Sequence, residues 1–311
     1  MTGPASDAAT NSPSREPAHG LAGARVEARA ALLMVTLCAL WGLGQVSVKI
    51  GATGISPIWQ AGLRSVGAAL VLCVWMRHRR IALRPAPGMA RWGLLIGLAF
   101  ALEFVCFYPG MALTTAARGT VLIYSAPFFV AIGGHLLLGD RLNRYRVGGL
   151  LLALAGVGLA LSARGGPGQG DWRGDLLCLA AGFMWAMTTL IVKATPLRSE
   201  QPERTLLYQL VVSAAVLPAW SLAVGEPGVF ALTPVVVAAL AYQVFVIASF
   251  SYLGWFLLIQ RYSAASLSAF TFLTPLFGVA FAAVLLGETL TPSLIAAATL
   301  IAAGIYLVNR R

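Results

Sequence analysis

From Ala31 onward, stretches of about 20 mostly apolar residues follow one another, separated by short breaks of Gly, Pro and charged residues. A helix needs about that many residues to cross the hydrocarbon of a bilayer, where every backbone hydrogen bond has to be made within the protein. The pattern predicts spans at 31–50, 57–76, 92–113, 117–138, 146–163, 175–194, 204–224, 234–258, 265–286 and 291–308. The eighth is longer than a perpendicular crossing requires and is expected to tilt or to run partly out of the hydrocarbon. The fold class expected is an all-α membrane protein with ten transmembrane helices.

Composition supports this reading. Apolar residues make up 59% of the 311 positions and charged ones 11%, less than half the charged share of about 25% in soluble domains. The formal charge of +11 does not point to nucleic acid. The basic residues lie in the gaps between apolar runs, without interleaved aromatics or a reader motif. Cys38, Cys73, Cys106 and Cys178 fall inside apolar runs with no paired spacing, which argues against a metal site or a disulfide framework. Residues 1–30, rich in Pro, Ser, Ala and Gly, are expected to form a disordered tail. The first apolar run is too long for a signal peptide and reads as a retained span.

An even number of spans puts both termini on one side. With that side cytoplasmic, the arginines of the tail, of the Arg77–Arg91 loop, of Arg141–Arg146, and Arg198, Arg204, Arg261, Arg310 and Arg311 are internal. Only Arg118, Arg164 and Arg173 are then external. This asymmetry predicts cytoplasmic termini, and the scarcity of lysine beside abundant Arg, Ala and Gly suggests a GC-rich bacterial source.

The chain also repeats itself. Ala126-Pro127-Phe128-Phe129 leads to Leu138-Gly139-Asp140-Arg141-Leu142, and Thr274-Pro275-Leu276-Phe277 leads to Leu286-Gly287-Glu288-Thr289-Leu290, at an offset of 148. Trp41 precedes Lys49 as Trp185 precedes Lys193, at an offset of 144. Two five-span repeats are expected at 31–163 and 175–308, joined by an external linker at 164–174. Five is odd, so the second repeat enters from the opposite side and the two are inverted, an arrangement suited to alternating access around a midplane site.

Arg64 in the second span, the third-span ending Tyr108-Pro109-Gly110-Met111-Ala112-Leu113, and the duplicated Pro followed by Leu-Gly-Asp/Glu-x-Leu together resemble the EamA-type proteins of the drug/metabolite transporter superfamily. The resemblance covers about 280 residues in both halves. It implies a ten-helix inner-membrane carrier that exports amino acids, related metabolites or drugs. The family usually has Glu where this chain has Asp140.

Several positions are candidates for chemistry. Glu103, deep in the third span, is either a carboxyl group that takes up and releases a proton as water reaches it or a structural acid. Arg64 is its candidate partner, a gating residue, or a contact for a substrate carboxylate. Pro127 and Pro275 each remove a backbone donor in mid-span and free the carbonyls of Ile123 and Thr271. Tyr124, Ser125, Thr271 and Thr274 beside them are expected to make a polar, substrate-binding strip. Tyr252 and Trp255, with Trp41 and Tyr108, are candidate cavity walls or interfacial anchors. Lys49 and Lys193 are expected either to snorkel or to form a symmetric gate. His135 is an interfacial histidine or a proton relay, and Gly93-x-x-x-Gly97 a close helix contact.

The function expected is a secondary transporter, with a small-molecule solute and membrane lipid as its partners and no cofactor. No Walker A sequence offers an ATP site. The alternative, an intramembrane enzyme acting on a lipid-linked substrate, would need a cluster of His, Asp or Glu near one interface, which the sequence lacks.

Overall fold

A computed structural model describes residues 28–139, 143–162, 170–259, 267 and 269–309. Most of the expected tail, Asp140 to Leu142, the larger part of the 164–174 linker, and Arg261 lie outside the described residues.

Apolar runs without water around them must close their own hydrogen bonds, and among the described residues the regular structure is helical. An isolated antiparallel bridge joins Ile55 to Val229. The helices are α1 (Ala28–Gly51), α2 (Pro57–His78), α3 (Ala90–Leu113), α4 (Ala116–Ile123), α5 (Ala126–Leu138), α6 (Arg144–Ser162) and α7 (Trp172–Ala194). They continue as α8 (Pro202–Ala223), α9 (Pro234–Ala241), α10 (Tyr252–Ile259), α11 (Leu273–Leu286) and α12 (Pro292–Asn309). A π-helical stretch, Tyr242–Ser251, joins α9 to α10, and a 3-10 turn, Ala269–Phe272, precedes α11.

Among the described residues, eight segments are long and apolar enough to cross a membrane: α1, α2, α3, α4 with α5, α6, α7, α8, and α9 with the π stretch. Two shorter apolar helices, Phe270–Leu286 and Pro292–Val308, follow. The chain is a multi-pass helical membrane protein. Its outer surface is inverted relative to a soluble protein, with Val74 and Val284 70% and 79% exposed, as expected of side chains that face lipid.

Local chemistry sets the helix ends. Thr115, Asp171 and Thr233 accept backbone N–H groups in the first turns of α4, α7 and α9. The repeated Leu-Gly-Asp/Glu motif has a plain backbone reason. Gly139 ends α5 and Gly287 ends α11, both left-handed with φ of 71° and 65°, a conformation that only glycine adopts without strain.

The bundle pairs α1 with α11, α3 with α7, α2 with α8 and α6 with α12, while α3 also packs on α8 and α2 on the π stretch. Glycines allow the closest approaches. A Cβ on Gly156 would stand 2.9 Å from the Ala297 carbonyl, and one on Gly304 2.7 Å from that of Gly149. Gly93 and Gly97 seat Tyr208 and Val212 of α8, the close contact expected of Gly93-x-x-x-Gly97.

Candidate functional site

The helix containing Pro127 breaks one turn before it. Tyr124 and Ser125 form a turn between α4 and α5, and Pro127 falls in the first turn of the new helix, where its missing N–H costs nothing. Pro275 likewise lies in the first turn of α11, after the 3-10 turn. The carbonyl of Ile123 freed at the first break lies against Gly182 of α7, and the Ser125 hydroxyl donates back to the Leu122 carbonyl at 2.7 Å. Those two groups are turned to a helix neighbour. Tyr124 and Thr274, by contrast, come together with Gln45 and Cys38 of α1.

A second polar group sits beside this one. Arg64 and Glu103 are both buried, 7% and 6% exposed, yet the expected ion pair between them is not formed. The Arg64 guanidinium lies over the Phe104 ring, 4.6 Å from its centroid, and meets the Tyr108 hydroxyl. Oε2 of Glu103 is buried without a hydrogen-bond partner. Tyr252 links the groups, within electrostatic reach of Arg64, Glu103 and Tyr124.

Two further buried atoms, Oε1 of Gln45 and Oγ1 of Thr274, lie against Tyr124 without a well-formed hydrogen bond. Buried polar atoms are nearly always paired, so three orphans around Tyr124 and Tyr252 mark the centre of the bundle as a place where polar groups meet something other than each other. Aromatic rings frame it: Trp41 packs edge-on against Trp255 at 6.1 Å, and Trp185 against Tyr124 at 5.5 Å. The Trp41 Nε1–H donates to Ser251 at 2.9 Å. An apolar cleft lined by Val71, Trp75, Leu206, Ala248 and Tyr252 approaches Tyr252 between α2, α8 and the π stretch. Thr271 lies in the 3-10 turn before α11.

The face of the bundle that carries the α1–α2 turn is fastened by charge. Lys49 donates to the carbonyls of Met111, Ala112 and Thr114 at the end of α3, at 2.9, 3.1 and 2.5 Å. Arg118, read from the sequence as a loop charge, is 3% exposed and paired with Asp175 at 2.6 Å, and it also donates to the Ala160 carbonyl. Thr114 donates to the same Asp175 at 2.5 Å. Glu288 turns back from α11 and accepts the N–H groups of Ala116 and Ala117 at the start of α4, at 2.6 and 2.9 Å. Glu226 does the same for Ile58 and Trp59 of α2, at 3.2 and 3.0 Å. Carboxylates at helix N-termini and an ammonium at a C-terminus each offset the helix dipole. Lys193, the counterpart of Lys49, is exposed.

Sequence reasoning passed over Asp175, Glu226 and Gln243, and gave Glu288 no role of its own. The two acids beside helix starts carry no sequence code that separates a cap from a loop charge. Gln45, Gln60 and Gln243 were visible as amides inside apolar runs, but a search led by charge does not stop at them.

A multi-pass helical bundle with a polar, aromatic-framed centre is the build of a membrane transport protein. The chain belongs to the EamA-like transporter family, whose profile matches it twice, over residues 28–162 and 172–310. It is 30% identical over 288 residues to a probable amino-acid metabolite efflux pump of Salmonella typhimurium, covering 89% of this chain and 92% of that one. A protein of the same description from Escherichia coli is 28% identical over 89% of this chain and 93% of its own length. A solved crystal structure shares the fold, with a TM-score of 0.62 at 20% identity over 90% of this chain and 95% of that one.

Proposed function

We propose that this chain exports a small metabolite, an amino acid or a related compound, by alternating access across a bacterial inner membrane. The solute is held among Arg64, Glu103, Tyr124, Tyr252, Trp255 and Thr274, with Ser125 and Thr271 shaping the helix breaks beside it. The observation that carries this reading is the set of three orphaned buried atoms, Gln45 Oε1, Glu103 Oε2 and Thr274 Oγ1, around the centre of the bundle. The export of amino-acid metabolites is drawn from what the Salmonella and Escherichia relatives are called.

Alternating access needs two halves that can exchange conformations. Ten spans in two inverted repeats, 31–163 and 175–308, are supported by the double family match and by the pairing of elements. A shift of five spans turns the α3–α7 contact into the contact of the π stretch with α1, and the α3–α8 contact into that of the π stretch with α2. It also turns the Gly149–Gly304 approach into Ala297–Gly156, at the offset of 148 read in the sequence. With the termini cytoplasmic, the face fastened by Lys49, Arg118 and Glu288 is the outer one. Lys49 is then the closed half of a gate whose other half is Lys193. Glu103 is the group that couples export to a proton gradient.

The test is a flux measurement. Purified protein in sealed proteoliposomes, offered a panel of amino acids and related metabolites, should move at least one of them unchanged. Chemical turnover of a lipid-linked compound with no flux of any solute would replace the transporter reading with an enzymatic one.

A further inference from the structure

Helix α2 carries more polar chemistry than Arg64. Ser56, Gln60 and Arg64 follow one another at intervals of four residues and so share one helix face. All three are buried, at 2%, 0% and 7% exposed. The Ser56 hydroxyl and Oε1 of Gln60 have no hydrogen-bond partner. Apolar side chains would occupy such positions at less cost, which makes two adjacent orphans an argument for a second state in which they are satisfied.

The contacts around this stripe form a ladder leading away from the central site. Tyr108, which meets Arg64, donates to Oε1 of Gln243 at 2.8 Å. Gln243 donates to the Ser47 carbonyl at 3.1 Å. The next carbonyl of α1, that of Val48, takes the Gln60 amide at 3.4 Å. Above Gln60 the ladder is covered by the loop from Glu226 to Ala231, whose Glu226 carboxylate accepts the N–H groups of Ile58 and Trp59 at 3.2 and 3.0 Å. Ser56 donates to the Gly228 carbonyl at 2.7 Å, Phe230 and Ala231 donate to that of Gly54 at 3.0 Å each, and Ile55 bridges to Val229. Gly54 is pressed so closely on Ala231 that no side chain fits there. This clasp joins the two loops by a few backbone hydrogen bonds beside the Glu226 cap on α2, and water can take over the backbone bonds when the loops part.

We infer that Ser56, Gln60 and Gln243 line the outward half of the solute's path, closed here by the clasp between residues 54–56 and 228–231. The inference rests on the proposed transport reading and extends it beyond the central site. The orphaned Oε1 of Gln60 is an acceptor and the Ser56 hydroxyl can accept or donate, so the path suits a solute that brings at least one donor, an ammonium, hydroxyl or amide N–H.

Thiol accessibility tests it without knowledge of the solute. Thr53→Cys, Ser56→Cys, Gln60→Cys, Ala61→Cys and Val66→Cys are treated with a small, membrane-impermeant methanethiosulfonate in intact cells and in inside-out vesicles. The wild-type protein gives the background of the four native cysteines. Thr53 is in the exposed turn and reports which side that turn faces. Positions 56 and 60 should react from the same side as 53, roughly 10- to 100-fold more slowly, because reaction waits for a minor open state. Positions 61 and 66, on other faces of α2, should stay at background. Reaction at 53 with 56 and 60 at background overturns the inference. Reaction of 53 from the vesicle side alone overturns the orientation, and the 53, 56 and 60 comparison on that side still decides the path. If Gln60→Cys fails to accumulate, Ser56→Cys, an exchange of hydroxyl for thiol, decides alone.

Discussion

Lys49, near the end of α1, donates to the Thr114 carbonyl just past the end of α3 at 2.5 Å, while its repeat counterpart Lys193 is exposed. One ammonium thus holds three terminal carbonyls that have no partner within their own helix. A charged donor bonded to a helix end contributes about 1.5–3 kcal/mol, which is roughly a 10- to 100-fold change in an opening equilibrium. Cys178, fully buried beside Gly110 and Gly119, is a native reporter at this place. Lys49→Met should raise the labelling rate of Cys178 by hydrophilic maleimides by about tenfold or more, and Lys193→Met should leave it unchanged. Equal labelling in all three proteins would remove Lys49 from the gate.

The Arg118–Asp175 pair predicts an asymmetry between single and double replacement. Both side chains are almost fully buried and share Thr114 and the Ala160 carbonyl. Removing one partner strands a charge, so Asp175→Asn should cost roughly 3–5 kcal/mol, whereas replacing both groups with apolar side chains should cost much less. Thermal unfolding in detergent measures both. A double variant less stable than the single one would show that the Thr114 and Ala160 contacts matter more than the charges.

Much of this fold was legible before any coordinates. The bounds of α2, α3 and α8 fall within about three residues of the apolar runs, because hydrocarbon imposes one length and one backbone solution. The central groups Arg64, Glu103, Tyr124, Tyr252 and Thr274 were legible because a polar group inside such a run needs a reason. The π stretch was not, since ten consecutive residues, Tyr242–Ser251, keep the same apolar composition in either helix type. Arg118 was misplaced for a related reason. A charge at a span edge reads as a loop charge unless its partner is known, and Asp175 is 57 residues away. The repeat located Glu288, but only the fold gives it work, as the carboxylate that closes the start of α4.

Glycine replacements test the packing of α6 on α12. In a helix, Gly→Ala normally stabilises by about 1 kcal/mol, and Gly158, with open space where its Cβ would go, should follow that rule. Gly156→Ala and Gly304→Ala should instead destabilise by roughly 1–3 kcal/mol, since each new methyl meets a backbone carbonyl of the other helix. Under the proposed two-fold relation the two losses should be similar. Melting temperatures of the three variants in one detergent make the comparison, and a loss at 158 equal to that at 156 would contradict the packing.

Glu103→Gln bears on the mechanism most directly. The carboxyl group lies beside Arg64 and Tyr252, and its buried Oε2 has no hydrogen-bond partner. A carboxyl group buried in apolar surroundings is costly to ionise, and water entering from one face or the other lowers that cost. If export draws on the proton gradient through this group, the amide should mimic the protonated acid. Folding and solute binding should then survive, and exchange of labelled for unlabelled solute should continue, since exchange need not release the proton. Accumulation driven by an imposed pH gradient should fall to background. Glu103→Ala is the poorer test, because it also opens a hole beside Phe104 and Phe107 in the core. The comparison is wild type against Gln in sealed vesicles, using whichever solute the flux panel identifies. Full gradient-driven accumulation by the Gln variant would make Glu103 structural and send the search for the coupling group elsewhere in the bundle.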